Sequence, residues 1–341
     1  MQESPGAEAD MVRLDVDALP DLVRRVLRAH GFDAPNAQAI AENMSRAEAG
    51  GSASHGLFRL PGHVRAVRAG KANPVAVPRL ESLAPGVLRV DGDRGFTPLA
   101  HRVGLGALLE AAQAQGVALL AITRTMHYAA LWPEVEWLAE RGIAALAMTS
   151  SPPYVAPAGG CVPVFGTNPV AFAWPREGAA PVAFDMATAE MARGEIMVHA
   201  RDGRPVPETA GIDADGQPTT DPTAILDGGA QLPFGGHKGA ALALMVDLLA
   251  GPLIGEATSL EAGARAPLPG LTEVAGELIL AIDPQRMGAR LDGAEALFRA
   301  IQAQPSARLP GEARAARRAR IMRDGVALPG VLHRDILALL G

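Results

Sequence analysis

The segment from Gly116 to Gly142 constrains the fold of this chain more than any other. It begins with a short apolar run, Gly116-Val-Ala-Leu-Leu-Ala-Ile-Thr-Arg124, that is typical of a buried strand. An amphipathic helix, closed by a glycine, is predicted over 134–142. A strand followed directly by a helix indicates an α/β domain, and His127 lies at their junction, where such domains tend to keep their chemistry. From this segment alone, His127 fits a polar corner of the core as well as a functional site.

The rest of the chain extends this mixed pattern. Apolar periodicity and glycine stops predict helices over 19–30, 36–49, 58–69, 99–116, 238–251, 293–304 and 332–340. Short apolar runs predict strands over 86–91, 144–149, 170–174, 182–186 and 277–283. The stretch 308–323 is basic, and 203–220 has the composition of a surface loop. The sequence therefore predicts a helical N-terminal unit followed by a mixed α/β region.

Composition limits the classes of partner. The 341 residues allow one large domain or two ordinary ones. The 31 Lys and Arg against 37 Asp and Glu give a net charge of −6, so no general attraction to nucleic acid or anionic membranes is expected. The single cysteine, Cys161, excludes an internal disulfide and a thiolate metal cluster, and we expect it to be a small packed side chain. We expect no metal.

The sequence also bears on location. No apolar run approaches the ~20 residues that a helix needs to cross a bilayer. The stretch Met1 to Asp10 is acidic and lacks the order of a signal peptide, in which positive charge precedes an apolar run. We therefore expect a cytoplasmic protein without a membrane partner.

Neither common nucleotide-binding fingerprint is present. Gly104-Leu-Gly106 lies inside the helix predicted over 99–116 and lacks both the third glycine and the preceding strand of a Rossmann motif. Gly235-Gly-His-Lys238 lacks the spacing of a Walker loop. Because the glycines open a predicted helix, its free N–H groups and Lys238 could still hold a phosphate. A glycine turn with a solvated lysine explains the pattern equally well.

Two further patterns could carry chemistry. If a helix begins at the Ser54-His-Gly56 turn, His55 and Arg59 share a face and pair a proton donor with a guanidinium that can clamp a carboxylate. A serine cap beside two solvated side chains is the alternative. Asp185 ends the apolar run Val182-Ala-Phe-Asp-Met186, where a carboxylate must be hydrogen-bonded. It is either a structural anchor or the group that orients a histidine.

Four motifs together resemble the malate/L-lactate dehydrogenase family that lacks a Rossmann fold. They are Ser54-His-Gly-Leu-Phe-Arg-Leu-Pro61, Val164-Phe-Gly-Thr-Asn-Pro-Val-Ala-Phe172, Phe184-Asp-Met-Ala-Thr188 with Ala192-Arg-Gly194, and Pro233-Phe-Gly-Gly-His-Lys-Gly239, in matching order from about residue 12 to 340. The resemblance implies an α/β (α+β) fold: a helical unit from both chain ends, 1–80 with 295–341, and a mixed-sheet nicotinamide-binding domain, 81–294. It also implies a homodimer with active sites near the subunit interface.

Within that family, His127-Tyr-Ala-Ala-Leu-Trp-Pro-Glu-Val-Glu136 and Gly236-His-Lys-Gly-Ala-Ala241 resemble the Δ1-piperideine-2-carboxylate/Δ1-pyrroline-2-carboxylate reductase branch. Such enzymes use NADPH to reduce cyclic ketimines to L-pipecolate and L-proline. Lys238 and the arginines near 310 favour NADPH, with NADH the less favoured cofactor. The first alternative is an NAD(P)-dependent 2-hydroxy-acid dehydrogenase acting on malate, L-lactate, ureidoglycolate or sulfolactate. The second is a catalytically silent small-molecule binding protein.

The resemblance implies a role for individual residues. Ser54, His55 and Asp185 match a catalytic relay with His55 as proton donor, and Arg59, His127 and Ser151 match substrate contacts, with Arg59 on the carboxylate. The matching cofactor contacts are His127, Tyr128, Ala129, Ala130, Leu131, Ala189, Glu190, Met191, His237, Lys238, Arg308, Leu309, Pro310, Gly311, Glu312, Ala313 and Arg314. In the hydroxy-acid branch, the histidine that matches His127 is the acid/base, so the choice of donor between His55 and His127 stays open.

Overall fold

The computed structural model describes residues 11–265 and 275–340, so Met1 to Asp10, the basis of the signal-peptide argument, lies outside them. The helices are α1 Leu19–Ala29, α2 Ala34–Ala49, α3 Leu60–Arg68, α4 Thr97–Gln115, α5 Trp132–Ala139, α6 Arg193–Arg201, α7 Pro222–Leu226, α8 His237–Ala250, α9 Ser259–Arg265, α10 Leu291–Gln302, α11 Glu312–Asp324 and α12 Gly330–Ala338. The strands are β1 Met11–Leu14, β2 Arg79–Ala84, β3 Val87–Asp91, β4 Val117–Thr125, β5 Ala144–Thr149, β6 Val170–Trp174, β7 Val182–Met186, β8 Gly211–Ile212, β9 Ala230–Gln231, β10 Ala275–Ile282 and β11 Val326–Pro329.

A mixed sheet organises the centre of the molecule. Its described strands run in the order β2-β3-β4-β10-β5-β6-β7, with β3 and β4 parallel and the other neighbours antiparallel. Alternate side chains of a strand point to opposite faces. On β4, Leu120 and Ile122 accordingly pack with α4 and α5, whereas Leu119 and Ala121 pack with α8 on the other face. The expected α/β fold with a mixed sheet is confirmed.

The two chain ends meet in a second core. β1 pairs antiparallel with β11, from Met11 opposite Pro329 to Leu14 opposite Val326. Buried side chains of α1, α2 and α3 form one cluster with Val326 and Leu328 of β11 and with Ile336 of α12. A helical unit built from both ends is therefore present, as the family resemblance implied.

The sequence predicts the interior elements better than the peripheral ones. The strands over 144–149, 170–174 and 182–186 and the helices α1 and α8 form where predicted, within a residue or two at each end. The predictions did not include β1, β2, α6 or the helical character of the basic stretch, which is α11. The predicted helix over 58–69 is shorter: α3 begins only at Leu60, after two 3-10 turns.

One apolar helix bears on the expectation that the chain does not cross a membrane. Within the described ranges, the stretch His237–Ile254 is long and apolar enough to cross a membrane by length and composition alone, with 18 residues, a mean hydropathy of 1.3 and 39% of its residues buried. It consists largely of α8, which packs on β5 and β10.

Cys161, which we expected to be packed, is exposed in the loop between β5 and β6.

Candidate active site

Two short turns carry the Ser54, His55 and Arg59 side chains. Ala53–His55 and Leu57–Arg59 are separate 3-10 turns, because Gly56 between them has a non-helical backbone with φ −95° and ψ −136°. The prediction that His55 and Arg59 share one helix face is therefore wrong. A Cβ on Gly56 would lie 2.2 Å from Glu48 Oε1, which accepts a 2.7 Å hydrogen bond from the Leu57 N–H. The buried Glu48 thus fixes the turn, and burial raises the pKa of its carboxyl to about 7.

The turns nevertheless bring the three predicted residues together. Ser54 Oγ lies 3.1 Å from His55 Nδ1, and Arg59 Nε donates a 2.7 Å hydrogen bond to the Ser54 carbonyl. Burial lowers the pKa of His55 to about 3, and the positive charge of Arg59 and the nearby His127 add to the shift. In the free chain the His55 imidazole is therefore neutral at pH 7.

The cationic side chain of Arg59 is largely enclosed by aromatic rings and only partly exposed. Its guanidinium lies 6.0 Å from the Tyr128 ring and 5.7 Å from the Phe58 ring. Within residues 11–265 and 275–340, no carboxylate pairs with it, and burial lowers its pKa. A Cβ on Gly194, at the start of α6, would lie 3.0 Å from Arg59 Nη2 and 3.1 Å from Ser54 Cβ. The glycine of the Ala192-Arg-Gly194 motif thus allows α6 to approach both side chains.

Two residues of this environment were not among the predicted site residues. Tyr154 is close enough to Arg59 to affect its pKa, and Arg193 of α6 stacks on the Tyr154 ring at 3.8 Å. Arg193 belongs to the quoted Ala192-Arg-Gly194 motif, which could have marked it, whereas Tyr154 lies outside every quoted motif and only the folded chain reveals it.

His127 follows β4 at the expected junction of strand and helix, and its side chain is 4% exposed. Its Nε2 lies 3.4 Å from Glu277 Oε2 of β10, which is also 2.7 Å from His101 Nε2 of α4. The other nitrogen of His101, Nδ1, lies 3.0 Å from Glu134 Oε1 of α5. The sequence analysis missed His101, Glu134 and Glu277 as site residues.

By composition this group could be taken for a metal centre. One ligand atom each of His101, His127 and Glu277 lies within 4.8 Å of the others. However, the 2.7 Å spacing between His101 and Glu277 is that of a charge-assisted hydrogen bond, and Glu134 engages the remaining nitrogen of His101. The geometry is that of a hydrogen-bonded ionic row, and we do not assign it to a metal.

Asp185 lies on β7 and faces the start of α5. Its Oδ2 accepts hydrogen bonds from the N–H groups of Leu131 at 2.8 Å and Trp132 at 3.1 Å. Burial raises its pKa to about 6, although both hydrogen bonds favour the charged form. Among the described residues it makes no hydrogen bond with a histidine. Of the two roles left open by the sequence, these contacts support that of an anchor for the segment His127 to Leu131.

Ser151 is joined to the second family motif. Its Oγ accepts a 3.0 Å hydrogen bond from the Thr167 N–H, and its own N–H donates to Asn168 Oδ1 at 3.2 Å. Asn168 is fully buried, has a φ of +37° and donates to the Ala243 carbonyl of α8. The Gly166-Thr-Asn-Pro169 sequence is therefore a structural link between the sheet and α8 as well as a turn.

Two predicted cofactor segments are adjacent. Ala189 forms an isolated bridge with Pro233, and the Glu190 N–H donates to the Leu232 carbonyl at 2.8 Å. The glycines Gly235 and Gly236, with φ of +56° and +62°, lead into α8, whose first residues His237 and Lys238 are exposed. The prediction that this glycine pair opens a helix is confirmed.

The predicted cofactor segment from Arg308 to Arg314 lies against β7 and α5. Pro310 accepts a hydrogen bond from the Ala183 N–H at 3.3 Å. A cavity of about 290 Å³ opens here, lined in part by Trp132, Leu309, Gly311, Arg314 and Arg318. The Trp132 ring lies between the guanidinium of Arg46 at 5.1 Å and that of Arg314 at 4.7 Å, and both arginines pair with Glu136. Of the predicted segment Arg308 to Arg314, the cavity includes residues 309–312 and Arg314.

The chain is similar to known proteins over nearly its whole length. The model of a family described as malate/L-lactate dehydrogenase matches residues 14–337. The Δ1-pyrroline-2-carboxylate/Δ1-piperideine-2-carboxylate reductase of Pseudomonas aeruginosa is 50% identical over 335 residues, 97% of this chain and 100% of its own length. The Δ1-pyrroline-2-carboxylate reductase of Pseudomonas fluorescens is 48% identical over 337 residues, 97% and 100% of the two chains. The crystal structure of Δ1-piperideine-2-carboxylate reductase from Pseudomonas syringae pvar. tomato superimposes with a TM-score of 0.90 at 42% identity, covering 96% of this chain and 99% of that one.

Proposed function

The chain belongs to the malate/L-lactate dehydrogenase family, and on that premise we propose that it is a reductase of cyclic ketimine carboxylates. The substrates are Δ1-piperideine-2-carboxylate and Δ1-pyrroline-2-carboxylate, and the products are L-pipecolate and L-proline. The names of the relatives at 48–50% identity support this substrate class. So does the segment from His127 to Glu136, which differs from the sequence usual in hydroxy-acid dehydrogenases.

The unpaired guanidinium of Arg59 is the observation on which the proposal mainly depends. A buried charge is costly unless it is paired, so a cation without an acidic partner in the described chain is a site for an anion. A guanidinium binds a carboxylate through two parallel hydrogen bonds. The rings of Phe58 and Tyr128 add apolar surface on which a five- or six-membered ring can rest. A ketimine carboxylate has both features.

Ser54 and His55 are placed to donate a proton to the ketimine nitrogen. The ketimine nitrogen must be protonated as the neighbouring carbon is reduced, which calls for a donor near the substrate. His55 is neutral in the free chain, partly because it lies beside Arg59. A substrate carboxylate bound to Arg59 offsets that positive charge and so favours protonation of His55. His127, which acts electrostatically on His55, is the second candidate for the donor.

The residues present suit a nicotinamide cofactor, which when bound supplies the hydride. The Gly236 turn at the start of α8 is open on one side, since an added Cβ would meet nothing within 4 Å. Helix N-termini of this kind hold phosphate groups, and Lys238 adds a positive charge. The cavity beside Trp132 would take another part of the dinucleotide, with Arg314 and Arg318 favouring the additional phosphate of NADPH over NADH.

We further propose a cytoplasmic homodimer whose active sites lie near the subunit interface. Leu244 and Leu248, one turn apart on α8, are 48% and 51% exposed and suit burial against a second copy. The division into a helical unit, 1–80 with 295–341, and a cofactor domain, 81–294, belongs to the same proposal. Light scattering on the purified protein should give twice the chain mass, and a monomeric mass at micromolar concentration would contradict the dimer.

The function is tested by following NADPH oxidation with a panel of substrates. We expect turnover of Δ1-piperideine-2-carboxylate or Δ1-pyrroline-2-carboxylate to exceed that of pyruvate and oxaloacetate by orders of magnitude. Equal or faster turnover of the oxo-acids would favour the 2-hydroxy-acid dehydrogenase, and no turnover at all would favour a binding protein. Arg59→Met should raise the KM for the ketimine about 100-fold or more, because it removes a charge-assisted pair. Arg65→Met, on the exposed side of α3, is the matched control and should change neither constant.

A further inference from the structure

The ionic row beside the candidate site has a charge imbalance. It consists of Glu134, His101, Glu277 and His127 in that order, from α5 through α4 and β10 to the end of β4. Their side chains are between 0 and 5% exposed, so solvent contributes little to their stabilisation. In such surroundings charges must balance within the row.

Two carboxylates in the row face one firmly charged imidazole. Burial alone would lower the pKa of His101, but Glu277 and Glu134 outweigh it and raise that pKa to about 10. Burial conversely raises the pKa of Glu277, and the adjacent His101 and His127 more than compensate, so that Glu277 is anionic. His101 can neutralise only one of its two carboxylate neighbours. Of the two, Glu277 is the carboxylate that also lies next to His127, at 3.4 Å.

The hydrogen bonding of the row is also incomplete. Within the described residues, Glu134 Oε2, Glu277 Oε1 and His127 Nε2 are buried without a hydrogen-bond partner. The 3.4 Å between His127 Nε2 and Glu277 Oε2 is an ion-pair distance, but the ring is not aligned for a hydrogen bond. A small rotation of the His127 ring would satisfy both the unpartnered nitrogen and the residual charge.

His127 also interacts with the candidate site. His127 acts electrostatically on His55, which in turn feels the positive charge of Arg59. The ionisable groups near His127 are therefore His101, Glu134 and Glu277 of the row and, through this electrostatic interaction, His55. Asp185 interacts electrostatically with Glu134 of the row and with Arg314.

We propose that Glu277, paired with His101, is a positioning residue that orients the ring of His127 beside the candidate site. This inference rests on the proposed function, since it assigns Glu277 a part in delivering a proton during ketimine reduction. Glu277 does not touch the substrate. It acts through His127, the second candidate for the proton donor, by placing a negative charge next to that ring.

The pH dependence of kcat/KM tests this role. Reduction slows as pH rises and the donor loses its proton, and removing a neighbouring negative charge disfavours the protonated imidazole. Glu277→Gln, which keeps the size of the side chain, should therefore move the alkaline limb to lower pH by about one unit or more. Glu134 lies beyond His101 in the row and is thus further from His127, so Glu134→Gln should move the alkaline limb by less than half as much. The KM for NADPH should change less than about twofold in both variants.

A merely structural role would lower the unfolding temperature of Glu277→Gln but leave the alkaline limb in place, and that result would overturn the proposal. Equal shifts for Glu277→Gln and Glu134→Gln would also overturn it, because the effect should decline with distance from His127. If the wild-type protein reduces no ketimine, the proposed function fails instead.

A measurement on the unmodified protein covers the case in which the variants do not fold. In ¹⁵N-histidine-labelled protein, correlation spectra of the ring nitrogens distinguish imidazolium from neutral imidazole. We expect one ring, His101, to remain an imidazolium from pH 6 to pH 9, independent of turnover. Spectra in which every imidazole of the folded protein is neutral at pH 9 would remove the cation that holds Glu277 anionic and overturn the inference.

Discussion

Replacing Asp185 distinguishes an anchor from a catalytic relay member. One oxygen, Oδ2, accepts both backbone N–H groups at the start of α5, from Leu131 and Trp132. The amide oxygen of Asp185→Asn can accept the same two bonds, whereas Asp185→Ala leaves two buried donors without a partner. Each buried donor left unsatisfied costs about 1–3 kcal/mol. At pH 5 we therefore expect Asp185→Ala to lose about 2–5 kcal/mol of unfolding free energy and Asp185→Asn less than about 1.

The pH dependence gives this prediction a sign. The pKa of Asp185 is raised to about 6 in the folded chain, so its contribution to stability is fully present below about pH 3.8 and is lost as pH rises through 6. A rise from 3.8 to about 6 corresponds to about 3 kcal/mol as an upper bound. Asparagine cannot ionise, so Asp185→Asn should be about 1–3 kcal/mol more stable than the parent at pH 8.

Urea denaturation at both pH values measures these differences, with Trp132 at the site as a fluorescence reporter and circular dichroism as the check on a two-state transition. Asp221→Asn, at the exposed N-cap of α7, is the control and should cost about 1 kcal/mol or less at either pH. As an anchor, Asp185→Asn should also keep kcat within about tenfold. A loss of about 10³-fold or more with unchanged stability is what a relay member would give, and it would refute the reasoning.

Three other variants or reagents test further parts of the structure. Glu48→Gln should match the unfolding free energy of the parent at pH 4 and exceed it by about 3 kcal/mol at pH 8. The reason is that the pKa of Glu48 is raised to about 7, so its carboxyl destabilises the folded chain progressively as pH rises. An equal difference at both pH values would contradict this. Gly194→Ala should press on Arg59 and raise the KM for the ketimine about tenfold at unchanged KM for NADPH, whereas Gly106→Ala, whose Cβ meets nothing within 4 Å, should leave both constants unchanged. Cys161 should react with a thiol reagent in the native protein without loss of activity, and a protected thiol would contradict its exposure.

The interior strands could be predicted from the sequence because local composition determines them. The runs over 144–149, 170–174 and 182–186 are apolar and bounded by glycine and proline, so they signal burial wherever they occur. β1 has only four residues and exists through its pairing with β11, which no local pattern reveals. The basic stretch that became α11 was interpreted from its charge alone, although alanine and arginine also favour helix.

The candidate site likewise contains residues that a local motif could predict and residues that only the fold brings together. Ser54, His55 and Arg59 fall within six residues, so a motif could identify them. His101 and Glu277 are 176 residues apart and meet only because α4 packs on the sheet that contains β10. One signal was available: Glu277, like Asp185, is a carboxylate in an otherwise apolar strand. A carboxylate in a buried strand needs a partner, and that need alone could have marked Glu277 as unusual.

The pairing of β1 with β11 affects how the chain folds as it is made. Arg13 Nη1 donates to the Asp324 carbonyl, 311 residues later in the chain, and the core around α1 and α2 includes side chains of β11 and α12. The apolar surface of α1 and α2 is therefore covered only after the 311 residues that separate Arg13 from Asp324 have been synthesised. At about 5–20 residues per second, that interval is on the order of tens of seconds. During it, the apolar surface of α1 and α2 lacks its partners from β11 and α12, whereas the central sheet can form as soon as β10 has been synthesised.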